Sequence, residues 1–586
     1  MVQETRKSNR NLTIALAVGA LLFALVVVGA VLFFVLGKGG SGEGAAAAES
    51  AKMMPADTMM YASFNPRLDQ AKNYEVIQKA WGDNPVIQKG LEELLASMDM
   101  GGMSWKNDIQ PWLGDEIAFG LGPDFFMALG GAVDNTFAQI EQGLSGEAVT
   151  PSAPEMAEVP QFYAAIATQD QAASDKFLAK LRAEAEKDGA VFQETDYKGV
   201  QVVYQESELA YATVGDYVVL AAGGLEAMQA VIDAHEGVNL AESQAYKDVL
   251  AKLPADQVMY GFMDMGSYME AMLEMAGPAM VEIPKELFDP DMLKAFKGAG
   301  FSLGFEPNGV RVDFAVTYDK AAIPEDMLNT RTSPNKTAGR LPSGTLLYIS
   351  GIGLGDGVQM VLDAVKAMPD APPDLDESLQ MLTAFLGVSV DELVEMLSGE
   401  FALAVTHEPA GLGGDPSVPV GVSVLLEAKD EEKFEKLINS VATLAAMGGG
   451  LQLGEETIND VAIKTIPNPE NGEMIAGMGV GQGYFAVGTS QVLLEAAFGG
   501  GAKLADDAIY KAAIAPLPGK NSGIFFLNLG GLFDIIGEAM SPWERESFEE
   551  ARPILEPIKA ISAAAEPYNK DKNSASGTLF ILIESE

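Results

Sequence analysis

The longest apolar run in the chain covers residues 12–36, 25 positions without a charge, diluted only by Thr13, Gly19 and Gly29. As a helix rising about 1.5 Å per residue it would span roughly 37 Å, more than the ~30 Å hydrocarbon core of a bilayer. The run therefore predicts a transmembrane helix that crosses with some tilt. Arg6, Lys7 and Arg10 precede it, whereas only Lys38 follows closely. That bias predicts a cytoplasmic N-terminus and a body on the periplasmic or extracellular side. A cleaved signal peptide would carry an apolar region of only about 7–15 residues. Small residues at 45–48 could still admit a peptidase, but the expectation is a retained single-pass signal-anchor.

Beyond residue 53 two shorter periods alternate. Period-two runs at 162–167, 200–204, 217–221, 301–305 and 310–317 predict half-buried strands, as do 418–426, 463–466, 484–487 and 578–583. Helical periodicity appears at 174–186 and 431–446. It also appears as an apolar stripe of Met265, Tyr268, Met269, Met272, Met275 and Ala276, spaced as one face of an amphipathic helix.

Parts of this pattern occur twice. Leu240-Ala-Glu-Ser-Gln-Ala-Tyr-Lys-Asp-Val-Leu-Ala-Lys-Leu-Pro254 matches Leu504-Ala-Asp-Asp-Ala-Ile-Tyr-Lys-Ala-Ala-Ile-Ala-Pro-Leu-Pro518 at a constant offset of 264. The same offset carries the Met265 stripe onto Leu529, Leu532, Phe533, Ile536, Ala539 and Met540. Nearer the start of each copy, Pro55-Ala-Asp-Thr-Met-Met-Tyr61 resembles Pro342-Ser-Gly-Thr-Leu-Leu-Tyr348, and Leu113-Gly-Asp-Glu116 resembles Leu397-Ser-Gly-Glu400. Each reads as a turn feeding a strand. Strands joined by hairpins, with helices at irregular intervals, favour an α+β fold: an N-terminal transmembrane helix, then two related units of antiparallel sheet with packed amphipathic helices. The expected organisation is a cytoplasmic tail at 1–11, the transmembrane helix at 12–36, a flexible Gly/Ala-rich linker at 37–53, one ectodomain repeat at 54–335 and a second at 336–586.

The strand opened by Pro55, Thr58, Tyr61 and Asn65, the Leu113-Gly-Asp-Glu116 motif and the Tyr246 to Pro254 segment together resemble the domain of unknown function 3352 family, bacterial membrane-anchored proteins. The resemblance covers most of the ectodomain. It implies no activity and no functional residues, because no function is established for the family as a whole.

Composition narrows the function classes. The chain carries 83 acidic against 38 basic residues, a formal charge of −45, and much of the basic complement nearest the membrane lies in the anchor's flanks. Such a surface repels nucleic acid and anionic headgroups, so no nucleic-acid partner is expected. The absence of cysteine removes disulfides, lipoprotein-type acylation and thiolate metal sites. Hydrophobic residues make up 48%, enough for more than one core.

No catalytic, cofactor or metal constellation emerges. The two histidines, His235 and His407, each precede a glutamate, but neither has a second histidine at the fourth position, and they occupy non-equivalent places in the copies. Ser333-Pro-Asn-Lys336 has serine–lysine spacing without its companion motifs. Gly351-Ile-Gly-Leu-Gly-Asp-Gly357 follows a predicted strand and could offer N–H groups to a phosphate. However, Asp356 stands where the third glycine of a dinucleotide fingerprint belongs. The acidic stretch Asp370, Asp374, Asp376, Glu377 lacks the central glycine of a calcium loop.

The positive signal is apolar. Of 28 methionines, several crowd the helix face formed by Met265, Met269, Met272 and Met275; such side chains adapt their shape to varied partners. The first copy also has an insertion, between 119 and 162, that contains Phe125, Phe126 and Met127. These seven residues are the candidate surface for a hydrophobic ligand or a lipid or protein partner; packing on the molecule's own sheet is the competing role. The expected function is non-enzymatic binding or scaffolding in the bacterial cell envelope. The alternatives are an envelope enzyme with an unrecognised site and an accessory or assembly factor for a membrane complex.

Overall fold

A computed structural model describes residues 48–82, 84–85, 105–123, 125, 161–187, 189–206, 208–276, 294–323, 328, 330–367, 375–449, 453–468, 472–539, 548–549, 552–568 and 571–583. The apolar run at 12–36 lies outside them. Among the described residues no helix is long and apolar enough to cross a membrane.

The described chain mixes helix with antiparallel sheet. Its first ten strands are β1 (Met60–Phe64), β2 (Leu113–Leu121), β3 (Phe162–Thr168), β4 (Gln193–Tyr197), β5 (Val200–Tyr204), β6 (Leu209–Val214), β7 (Tyr217–Ala222), β8 (Met259–Asp264), β9 (Phe296–Glu306) and β10 (Gly309–Tyr318). Ten more follow: β11 (Thr345–Ile352), β12 (Glu400–His407), β13 (Val420–Glu427), β14 (Gly454–Ile458), β15 (Val461–Pro467), β16 (Met474–Gly481), β17 (Tyr484–Gly488), β18 (Ile524–Asn528), β19 (Ile558–Ala565) and β20 (Ser574–Ile583).

Every pairing is antiparallel. In the first half the spatial order is β4-β5-β6-β7-β3-β2-β1-β8-β9-β10. In the second it is β14-β15-β16-β17-β13-β12-β11-β18-β19-β20. Adding ten to each strand number converts one order into the other. The halves join through β10 and β20, where Gly309 faces Leu582 and Thr317 faces Ser574. Equivalent residues of these two strands differ by 265, so the register is self-complementary and Asp313 faces its own counterpart, Thr578. An approximate two-fold axis therefore passes through this pair, and one twenty-stranded sheet runs across it.

Local chemistry explains the hairpins. Two-residue loops that match strand twist need positive φ at both central positions; Lys198-Gly199 (φ 54° and 82°) and Asn459-Asp460 (φ 49° and 66°) supply it at corresponding places in the halves. Helices cover the sheet: Gly224–Glu236 and Gln244–Leu250 in the first half, Gln491–Ala497 and Ala508–Ile514 in the second. Each half has its own apolar core, one around Met54, Tyr163, Met228 and Tyr246, the other around Leu494, Phe498, Tyr510 and Phe526.

One expectation is revised. The last residues of the stretch read as a flexible linker form a 3-10 helix, Glu49–Met53, with Ser50 and Ala51 wholly buried against the sheet. Its counterpart is the 3-10 helix Thr337–Arg340. The glycine-rich 351–357 segment is a packing device: a Cβ on Gly355 would sit 2.1 Å from the carbonyl oxygen of Val394, so only glycine lets the helix Leu354–Ala367 approach the helix Val390–Met396. Asp356 pairs with Arg331, which also donates to Ser398 O.

Candidate functional site

The repeated motifs meet at one place in each half. In the first, the Glu116 carboxylate reaches from β2 to the start of the Glu49–Met53 helix. Its Oε2 accepts the Ser50 N–H at 3.2 Å, and its Oε1 accepts the Ser50 hydroxyl at 2.6 Å. The Tyr217 hydroxyl donates to Oε2 at 2.5 Å. Since the Ser50 proton goes to Glu116, the 2.6 Å contact between the Ser50 and Tyr61 hydroxyls has Tyr61 as donor. In the second half Glu400, 1% exposed, accepts the N–H groups of Lys336 and Thr337 at 3.0 and 3.1 Å. It also accepts the Thr337 hydroxyl at 2.9 Å, and Tyr348 lies 2.9 Å from that hydroxyl.

An aromatic triad backs each centre. Tyr61, Tyr246 and Phe262 stack edge to face at 5.7 and 5.2 Å; Tyr348, Tyr510 and Phe526 do so at 5.9 and 5.1 Å. Burial raises the phenol of Tyr61 well above its usual range, with Tyr246 and Glu116 adding to the effect. Burial likewise pushes Tyr348 up to about 12. Tyr217 is raised by burial first and then by its bond to Glu116. The phenols thus stay protonated and serve as donors. Each glutamate neutralises orphan N–H groups at a helix start, a use that consumes its acceptor capacity in structure.

Above the first of these centres lies a cleft of about 480 Å³. Its walls come from the 3-10 helix (Glu49, Met53), β2 (Gly114, Asp115), β3 and its end (Ala167, Thr168, Gln169), and the β6–β7 turn with Tyr217 behind it. Arg67 and His235 complete the lining. Arg67 donates to Leu113 O at 2.7 Å and to Gln169. Glu49 pairs with Lys52 at 2.7 Å, while Asp115 and Asp216 are exposed and have no hydrogen-bonded or ionic side-chain partner among the described residues. His235 ends the Gly224–Glu236 helix, and its Nε2 would lie 3.4 Å from a Cβ placed on Gly215.

The second half carries different side chains at the corresponding positions. Tyr217 is paired in register with Ala167, and Tyr484 with Glu427. The turn residue Gly215 (φ 57°) becomes Gln482 (φ 54°), and Met53 becomes Arg340. The Arg340 guanidinium lies 4.8 Å over the Tyr484 ring and donates to Gln482 Oε1 at 3.0 Å. Glu427 accepts the Glu400 N–H at 3.2 Å.

A smaller cavity, about 210 Å³, lies at the junction of the halves and includes Arg311, Asp313 and Thr578. Arg311 donates twice to Asp313 at 2.8 Å, and Thr578 donates to Asp313 at 2.7 Å; Lys252 and Glu566 also line it, the latter paired with Lys572 at 2.8 Å. Among the described residues no group of three histidines or carboxylates is arranged to hold a metal.

The apolar candidates are partly placed. Met265 is buried, Met269 and Met272 are half-buried on the helix Met265–Ala276, and Phe125 packs with Met59, Met60 and Met263. The Met275 side chain, Phe126 and Met127 lie outside what is described. The cleft draws on none of these residues. Its histidine, His235, stands alone in its stretch of sequence, with no second histidine near it to mark a site. Tyr217, 101 residues from Glu116, carries no local signal of its role.

No curated protein sequence matches the chain. Structural similarity is distant: "Structure of crystal form I of TP0453" aligns at a TM-score of 0.23 with 8% identity, covering 48% of this chain and 86% of that one. "Structure of crystal form IV of TP0453" gives 0.22 and 7%, covering 46% and 79%. A family model does match, along almost the whole length. From residue 16 to residue 583 the chain belongs to the family described as "Protein of unknown function (DUF3352)".

Proposed function

We propose that this chain is a non-enzymatic binding or scaffolding protein of the bacterial cell envelope, tethered by an N-terminal transmembrane helix and built from two related sheet units. The observation that carries the reading is the contrast between the halves. Both keep the buried glutamate–tyrosine centre, in which the polar groups are spent on holding a helix to the sheet. In the first half a cleft lies over it, whereas the second places Arg340, Gln482 and Glu427 there. One copy serves as scaffold and the other as receptor. The apolar face at Met269 and Met272, near the other end of β2 from the cleft, supplies a second, separate contact for a hydrophobic ligand or partner.

An envelope enzyme is the second reading, favoured by one feature: the cleft gathers Glu49, Asp115, Asp216 and His235 around Tyr217. Against it, Tyr217 donates to a carboxylate already holding Ser50, so the cleft offers no nucleophile poised against a base. Gentle extraction of the full chain from native membrane, followed by mass spectrometry of what travels with it, tests the binding reading. A reproducible ligand or partner supports it. A chain that emerges empty and uncrosslinked in every preparation overturns it.

A further inference from the structure

We propose that one face of the sheet, where the halves meet, seats an acyl chain of a zwitterionic membrane phospholipid. This deepens the hydrophobic-ligand part of the binding reading above and rests on it. Successive side chains of a strand point to opposite faces. On one face Phe262, Ala315, Phe580 and Phe526 enter the two apolar cores. On the other, alternate residues line up across the strands as a row: Met259, Leu303, Val312, Leu579, Ala563 and Phe525, one each from β8, β9, β10, β20, β19 and β18. A second row beside it runs Phe305, Val310, Ile581 and Ile561. Neither row contains a polar side chain, although the solvated face of an antiparallel sheet is ordinarily polar.

Burial sets this floor apart from the rest of the same face. Register carries the first row outward through Phe64, Ile117 and Ile166 to Val218. There the helix Gln171–Lys187 closes the face, and Val218 and Tyr211 are buried. No member of the two central rows is buried. Cover over them is partial: Tyr74 packs against Phe305 at 6.2 Å, and Trp81, at the end of the helix Glu75–Trp81, donates its indole N–H to Ile554 O at 2.9 Å. That contact joins the halves on this side of the sheet, so a flat protein surface is kept off the floor while a slender chain fits. All six strands are paired on both sides, which leaves no edge for a peptide strand. At ~4.8 Å per step they span about 24 Å, more than the ~15 Å hydrocarbon depth of one leaflet. Residues 37–47 separate the apolar run from the body and reach at most about 40 Å, so the proposed anchor keeps the body beside lipid. The formal charge of −45 disfavours an anionic headgroup.

Photolabelling of the full chain in phosphatidylcholine nanodiscs tests this, using a trace of palmitoyl phosphatidylcholine with a diazirine at the end of its acyl chain. After digestion, mass spectrometry should find adducts on peptides from β9, β10 and β20 as well as on the anchor. Val312→Gln with Leu579→Gln places two amides in the floor. It should lower the floor adducts about ten-fold, with the melting curve and the anchor adducts unchanged. Should that variant fail to fold, Val312→Thr, nearly the same shape, should lower them about three-fold. The matching phosphatidylglycerol probe should label the floor more weakly. Adducts confined to the anchor, floor adducts undiminished in a folded variant, or stronger labelling by the phosphatidylglycerol probe would each overturn the proposal. A protein partner or other ligand recovered from native membrane, with the floor unlabelled, would defeat this inference and leave the broader binding function standing; an empty chain with an unlabelled floor would defeat both.

Discussion

Replacing Glu400 by alanine removes one acceptor from three donors at once: the N–H groups of Lys336 and Thr337 and the Thr337 hydroxyl. The hydroxyl can turn toward Tyr348, 2.9 Å away, but the two amides have no other acceptor within the helix start. An orphaned buried donor costs about 1–3 kcal/mol, which puts two amides at roughly 2–6 kcal/mol. Removing one side of a buried charged set elsewhere costs about 3–5 kcal/mol, and we expect Glu400→Ala to fall in that range. Glu400→Gln keeps the shape and one acceptor oxygen while aiming an NH2 at a donor, so it should lose about 1–3 kcal/mol. Glu116→Ala should lose less, about 1–2 kcal/mol, because its site is only half-buried and water can replace part of what is lost. A chain of two cores need not unfold in one step, so hydrogen exchange of the amides at 336–340 and 50–54 is the sharper assay. The reasoning fails if the Lys336 and Thr337 amides exchange at the wild-type rate in Glu400→Ala, or if urea unfolding moves by less than about 0.5 kcal/mol.

High pH should loosen the same centres. Tyr348 titrates at about 12 in the folded chain against about 10 unfolded, so its contribution is complete below pH 10 and fades as pH rises to 12, by about 2–3 kcal/mol in all. Tyrosinate absorbance against pH checks this: buried phenols ionising at their ordinary value would contradict it. Gly355→Ala drives a methyl into the Val394 carbonyl and should cost about 1–3 kcal/mol, read as faster exchange in both helices of that pair; unchanged exchange would refute the packing role. Asp313→Ala at the junction leaves Arg311 and Thr578 without their acceptor. Because Arg311 stays 30% exposed, the loss should be only about 1–3 kcal/mol, with exchange rising first in β10 and β20. Exchange that rises uniformly through both cores would place the weak point elsewhere.

The residues that made the repeat legible in the sequence are those that meet in space. Tyr61 and Tyr348 open the proline–turn strand, Glu116 and Glu400 end the short acidic motif, and Tyr246 and Tyr510 anchor the 264-offset match. Such positions resist change because each has several partners at fixed geometry. Ser50 stood in a run of glycine and alanine, so its composition read as a tether although it is wholly buried. The strand order could not be read, because β3 pairs with β7 and β10 with β20 across long stretches that leave no local trace. The cleft was invisible for a related reason. Its lining, with Glu49, Asp115, Thr168, Asp216 and His235, is gathered from segments far apart in the chain, and only the strand register brings them together.

The proposal that the first half receives a ligand and the second does not is tested most directly by site-specific photocrosslinking in intact cells. A photoreactive residue is placed at Asp216, at its counterpart Gly483, and at Met269. An adduct of defined mass is expected from position 216, and none from position 483. Adducts from 483, or from Met269 alone, would contradict it.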